Sequence, residues 1–298
     1  MQTRRGFVEG VVVQATQGEL RYEVWDVFTG KAFGGNPLGV FFAPRGLRVE
    51  EMYALTREMN HSETTFVDGA GKVRIFTATQ ELPFAGHPVL GTAFAPRRRA
   101  GGGNRVVVEA SQGPIEVDFE GETGMMRQAK PEFRERHEAG VMAPMLGVEE
   151  GEIVGPVENV STGRPNVIVM LKTMAAMKRA KVDWGKLTGY FAGGDGQRGI
   201  YLLTRETLGA GYAVHARKLT ARLEDPATGS AAGCAAAYLV KHGVVRSGEV
   251  VKVEQGHLMG RPSELLLSAV KGAGGEVDEV RVGGRSVLVL EGKVVAKG

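Results

Sequence analysis

Two stretches limit the possible folds more than any others: Phe84–Pro96, FAGHPVLGTAFAP, and Asp225–Val240, DPATGSAAGCAAAYLV. Each opens on a polar turn containing Gly and Pro and then runs into small apolar residues. Gly91, Ala93 and Ala95 in the first, and Ala231, Ala232, Ala235, Ala236 and Ala237 in the second, leave neither segment a polar face. A helix without a polar face is buried all round. The spacing predicts helices over His87–Ala95, stopping before Pro96, and over Ser230–His242, stopping at Gly243. Lys241 and His242 fall at the C-terminal end of the second, where the helix dipole favours cations.

The rest of the chain reads mainly as short strands. Tyr22–Phe28, Leu38–Phe42, Thr64–Val67, Val73–Phe76, Arg105–Ala110 and Ile115–Phe119 are rich in β-branched and aromatic residues, with Asp68–Gly71 and Ser111–Pro114 as hairpin turns. The second half repeats the style in Val167–Leu171, Ile200–Thr204, Tyr212–Ala216, Val250–Val253 and Leu265–Val270. Arg281–Gly284 leads into a last pair, Ser286–Leu290 and Lys293–Ala296. Helical spacing recurs at Val49–Met59 and, more briefly, at Asp183–Phe191. Forty-four glycines, about twice the usual share, suit many tight connections. The expected class is α+β: two pseudo-symmetric domains, each a mixed sheet wrapped around a central helix. A poorly ordered extension or added strand occupies 1–20. The domains are assigned to 21–130 and 131–298, with a seam near Gly121–Pro144, and the last strand can cross back to the first domain.

Composition excludes several classes of function. The net charge of +3 is too slight to argue for nucleic acid or a membrane surface. Arg97-Arg98-Arg99 reads as a solvated helix end. One cysteine, Cys234, rules out an intrachain disulfide, a cysteine-based zinc knuckle and any two-thiol mechanism. It reads as a buried small side chain. A reducing, cytoplasmic setting is expected. No stretch has the length and apolarity of a membrane span, and the first twenty residues lack the core of a signal peptide. No nucleotide fingerprint is present, since Gly193–Gly196 lacks the flanking strand and helix. No His/Asp/Glu cluster shows metal-ligand spacing. The expectation is therefore no metal and no cofactor.

The heads of the two buried helices carry the chemistry. A helix N-terminus has unpaired N–H groups and a partial positive charge, so it must be capped or hold an anion. Gly86, His87 and Pro88 head one, and Asp225, Pro226, Thr228, Gly229 and Ser230 head the other, with Thr228 and Ser230 as hydroxyl donors or caps. Taken alone, either motif is an ordinary cap and turn. Together they describe two duplicated ends suited to a small anionic substrate.

These residues resemble the phenazine-biosynthesis isomerase family, the PhzF-like proteins. The resemblance rests on Asp26–Thr29 with Phe33–Leu38, Asn60–Phe66, Phe76-Thr77 with Glu81–Pro88 and Gly91–Ala93, Glu224–Ala231, and Gln255-Gly256 with Gly260–Ser263, in that order along the chain. It implies the diaminopimelate epimerase-like fold, with an active site in the cleft between the domains, and a homodimer. It also implies isomerisation by proton transfer without a cofactor, on a small carboxylate substrate. Glu63 falls on the catalytic glutamate of the family. His87 and Asp225 fall on its other polar active-site positions, where they orient the substrate and assist proton movement. Gly86, Gly229 and Ser230 would donate to a carboxylate, and Asn36 would shape the rim. His61, two positions from Glu63, would share its face in a strand. A carboxyl used for acid–base work needs a pKa raised toward neutrality, usually by burial, and no cation stands beside Glu63 in sequence.

The chain departs from the family pattern in its short approach Arg217–Leu223, in Ala78 where proline is common, and in the residues before Arg21. These departures bear on substrate identity more than on reaction class. The competing expectation is a non-catalytic small-molecule-binding or interaction protein on the same scaffold.

Overall fold

The structure, a computed structural model, describes residues 20–43, 47–192, 199–221 and 223–295. The expected extension therefore lies outside the described residues, apart from Leu20. The chain divides into two compact units, Met1–Arg127 with Gly283–Gly298, and Gln128–Val282.

In the first unit, β1 (Arg21–Val27) and β2 (Asn36–Ala43) pair antiparallel, with Arg21 opposite Phe42 and Val27 opposite Asn36. Helix α1 (Val49–Met59) crosses over to β3 (Thr64–Asp68), which pairs parallel with β2. A turn at 69–71 leads to β4 (Lys72–Phe76), and the short β5 (Glu81–Leu82) folds back on it. The second crossover is α2 (Gly86–Arg99), which delivers β6 (Arg105–Ala110) parallel to β4. Strands β7 (Gly113–Glu120) and β8 (Thr123–Arg127) complete a meander. Phe41 stacks on Phe66 at 5.2 Å, and Phe66 meets Phe76 edge-on at 5.5 Å, building a core under α1.

Helix α2 is buried from Gly86 through Ala95, as its small-residue composition requires. Gly91 shows why. A Cβ there would lie 2.6 Å from the side chains of both Leu38 and Val27, so only glycine lets the helix lie this close to β1 and β2.

The helix does not stop before Pro96; it continues to Arg99. An interior proline costs about 3 kcal/mol, and the three arginines offset this by anchoring the last turn. Arg97 donates to the carbonyls of Gly103 (2.9 Å) and Gly121 (2.7 Å) and lies over the Phe119 ring. Arg99 pairs with buried Glu23 at 2.8 Å and covers the Phe42 ring. The run is a helix end, packed through Arg97 and Arg99 and solvated at Arg98.

The second unit holds β9 (Glu132–His137), α3 (Ala139–Leu146), β10 (Val157–Ser161) and β11 (Pro165–Leu171). Helices α4 (Met174–Arg179) and α5 (Trp184–Tyr190) cross to β12 (Gly199–Thr204), parallel to β11. Strand β13 (Val214–Leu219) is followed by the short β14 (Glu224–Asp225), α6 (Gly229–Lys241) and β15 (Val251–Gln255), with β15 parallel to β13. Strands β16 (Ser263–Lys271) and β17 (Val277–Gly284) follow. Every residue of α6 from Gly229 to Val240 is buried.

The last strand, β18 (Ser286–Lys293), returns to the first unit and pairs antiparallel with β1. Two expectations change here. Arg281–Gly284, expected only to lead into a last pair, is the end of β17, and of the expected pair Ser286–Leu290 and Lys293–Ala296 the first forms a strand that ends at Lys293, with Ala296 outside the described residues.

Both units are thus mixed sheets about one buried helix. Among the described residues no helix is long and apolar enough to cross a membrane.

Candidate active site

Glu63 is delivered by the end of α1. Asn60 adopts a left-handed conformation (φ 52°) and its N–H returns to the Thr56 carbonyl at 3.2 Å, which terminates the helix. The chain then turns through His61 and Ser62 and enters β3 directly after Glu63. His61 and Glu63 therefore lie outside any strand, and the expected alternation does not relate them. Thr65 in β3 shares a 2.9 Å hydroxyl contact with Thr92 of α2, locking this strand to the buried helix. The result is that Glu63 Oε2 lies 3.6 Å from His87 Nδ1, with the two side chains 16% and 5% exposed. Ser62, next to Glu63, donates to Asn36 Oδ1 at 3.4 Å, and Asn36 is itself buried. Glu63, His87, Gly86 and Asn36 are therefore brought together within the first unit.

The head of α2 has no side-chain cap. Its N-cap is Ala85 in extended conformation, and Gly86 and His87 open the helix. A first turn of this kind offers N–H groups to an anion.

The head of α6 is built differently. Thr228 is its N-cap, yet its side chain does not cap the helix. The hydroxyl instead donates to Asp225 Oδ2. Of the two roles expected for Thr228, donor or cap, the structure shows the donor: its proton goes to Asp225, and its oxygen accepts from Gln255 Nε2 at 3.2 Å instead of from the backbone N–H groups of the first turn. Asp225, Gly229 and Ser230 are all buried.

The turn that carries them is held by residues whose role sequence reasoning missed. Gln255 donates to the Asp225 carbonyl (2.7 Å) and accepts from the Thr228 N–H (3.3 Å) and the Tyr201 hydroxyl (2.9 Å). Ser263 donates to the Pro226 carbonyl at 2.9 Å. Both residues stand in a motif that the sequence displays, Gln255-Gly256 and Gly260–Ser263, but their partners are visible only once β15 and β16 are placed.

Lys218 was also missed. It lies opposite Asp225 across β13 and β14, is buried, and donates to Asn166 Oδ1. Burial brings its ammonium down to about 7, against opposing pulls from Cys234 and Asp225. Cys234 is fully buried and burial pushes its thiol up, so it is packing rather than a nucleophile.

A separate cleft of about 390 Å³, lined by residues including Met52, Phe66, Asp68, Lys72 and Arg74, contains none of these side chains.

Two α+β units, each wrapped on one buried helix with polar groups at its uncapped head, define the epimerase-like class of folds. The sequence matches the family described as phenazine biosynthesis-like protein, PhzC-PhzF, over residues 25–292. The chain belongs to this family, and it is an isomerase. A trans-2,3-dihydro-3-hydroxyanthranilate isomerase of Pseudomonas aeruginosa is 34% identical, with 92% of this chain and 98% of that protein covered. The crystal structure of a PhzF-family phenazine biosynthesis protein from Bacillus anthracis superposes with a TM-score of 0.84 at 25% identity, covering 94% of this chain and all of that one. A probable proline racemase from Agrobacterium radiobacter shares the fold at a TM-score of 0.57 and 11% identity, with 93% of each chain covered.

Proposed function

We propose that the chain catalyses a cofactor-independent proton shift on a small carboxylate, with Glu63 as the group that takes and returns the proton. The observation that carries this reading is the pairing of Glu63 Oε2 with His87 Nδ1 at 3.6 Å in a largely buried setting. An isomerisation needs one group that can be base and then acid in the same turnover. A partly desolvated carboxyl can do both, and an adjacent imidazole orients it and exchanges a proton with it. The uncapped N–H groups at Gly86 suit a substrate carboxylate. By the motif they share with the family, Asp225, Gly229 and Ser230 take the second set of polar roles, and Asn36 shapes the rim. The name of the Pseudomonas aeruginosa relative makes a cyclic dihydro-hydroxyanthranilate the first substrate to try.

The test is carbon-bound deuterium incorporation in D2O, followed by NMR over a panel of cyclic and amino-acid carboxylates that includes that compound. Incorporation should fall about 10²–10⁴-fold in Glu63→Gln while ligand affinity survives. Binding without incorporation by the unaltered chain would favour a binding protein on the same scaffold.

A further inference from the structure

The second unit contains a cluster that the reaction above does not use. Strands β13 and β15 run parallel with His215 opposite Glu254. His257 follows three residues after Glu254, at the start of a 3-10 turn, His257–Met259. One donor atom from each of His215, Glu254 and His257 can be chosen so that all three lie within 4.8 Å of one another. Sequence spacing hides this set, because His215 reaches the other two only through strand pairing.

We propose that His215, Glu254 and His257 bind a divalent transition-metal ion of the zinc type, which clamps β13, β15 and the turn after it. The charge balance points to a cation. Glu254 and His215 have side chains 0% exposed. The Glu254 carboxylate receives the N–H groups of Leu208 (2.5 Å) and Gly209 (2.9 Å) and faces His215 Nδ1 at 2.8 Å. The two backbone N–H groups carry no net charge, and a buried carboxylate favours a positive charge beside it.

The histidine nitrogens are placed for ligation. His257 Nδ1 lies 3.2 Å from the Gln255 carbonyl, which assigns the ring proton to that nitrogen. Its Nε2 then turns a lone pair toward Glu254 Oε2, 3.9 Å away. Two acceptors face each other unless a second proton or a metal ion lies between them. His215 presents Nδ1 to Glu254 Oε1 at 2.8 Å, and this is the nitrogen an ion would take in place of the hydrogen bond. A histidine held by a backbone carbonyl and a carboxylate held by backbone N–H groups form the outer shell that metal ligands usually have. Two imidazoles and a carboxylate are a zinc donor set, and the 23% exposure of the His257 side chain leaves room for a water in the fourth position.

The consequence is mechanical. Gln255, between two of the ligands, holds the Asp225 carbonyl and the Thr228 N–H. A metal there would stiffen the strand end that carries the head of α6.

The test is calorimetric titration of the tag-free, chelator-treated full chain with Zn²⁺, beside His257→Ala and His215→Ala. One equivalent should bind, and zinc should raise the Tm of the unaltered chain. His257→Ala, at a partly exposed position, should weaken binding at least about tenfold and abolish the Tm rise. His215→Ala should do the same; should it fail to fold, His257→Ala decides alone. Zinc binding that is absent, or that is unchanged in His257→Ala, overturns the proposal.

Discussion

Lys218 is the strongest lever on stability near the proposed site, and Lys218→Met isolates it. In the folded chain its ammonium is brought from an ordinary 10.5 down to about 7 by burial. In the unfolded chain it titrates at its ordinary value. Between those two pH values the unfolded state binds one more proton than the folded state, so stability rises with pH across that window, by at most about 1.4 kcal/mol per unit. Below about pH 7 the full penalty of burying the charge is present, and above about 10.5 it is gone. The whole shift corresponds to about 5 kcal/mol, an upper bound because a protein relaxes around a buried charge. Methionine removes the penalty and keeps most of the volume, but it deprives Asn166 Oδ1 of its donor, which costs about 1–2 kcal/mol. The variant should therefore be more stable than the unaltered chain by about 2–3 kcal/mol at pH 6, and equal or slightly less stable at pH 10. Urea midpoints of both proteins from pH 6 to 10 read this directly. Identical pH slopes, or a variant less stable at pH 6, would refute the argument and mean that the ammonium stays charged, stabilised by Asp225 and its surroundings.

Two further perturbations test other links. Gly91→Ala should lower stability by about 1–3 kcal/mol, since its Cβ would press on Leu38 and Val27; a Tm within a degree of the original would mean that α2 can shift away from β1 and β2 at little cost. Thr228→Val removes the hydroxyl that donates to Asp225 Oδ2. Deuterium exchange into substrate should fall roughly tenfold and the Tm should drop by a few degrees, as expected for a lost bond to a charged group, and unaltered exchange would mean that this bond positions no reacting group.

The two small-residue helices were legible because composition alone decides their burial: a segment such as Ala231–Ala237 has no polar face to give to water. Helix α1 was legible to the residue, since Met52, Leu55 and Met59 mark its period and Asn60 ends it. What escaped was set by long-range contacts. The extension of α2 through Pro96 depends on Arg97 reaching Gly121 and Arg99 reaching Glu23, and no local rule predicts either. Strands β8 and β9 lie within Gly121–Pro144, where charge and glycine read as a seam, and helix α3 begins there. In β9 Phe133 is the one apolar residue, so no apolar face shows in the sequence, and Arg136 finds its partner, buried Glu158, only across the sheet. At the site, residue identity could be read from motifs, but partnership could not. Glu63 and His87 stand far apart in sequence, and the hydroxyl of Thr228, legible as donor or cap, is fixed as a donor only by the placement of Asp225.

The same scaffold step precedes both helix heads. In the first unit Arg74 grips Glu81 with two bonds, at 2.7 and 2.6 Å. In the second, Arg217 grips Glu224 at 2.9 and 2.8 Å, at the same separation along the chain. Each pair bridges a long strand to the two-residue strand that feeds the buried helix. The fork of an arginine matches a carboxylate in one plane, so each pair fixes the direction in which the following turn leaves the sheet. When the helix starts Gly86 and Gly229 are placed in register, Pro83 matches Pro226, Leu82 matches Asp225, and His87 matches Ser230. The frame is therefore shared and the polar fittings are not. An imidazole stands at the first head and a carboxylate with two hydroxyls at the second. Identical heads would offer one kind of group twice. On the proposal that Glu63 and His87 move the proton, the imidazole at the first head belongs to that pair, and the second head, built on the same clamp, carries a different set of polar groups at the matched positions.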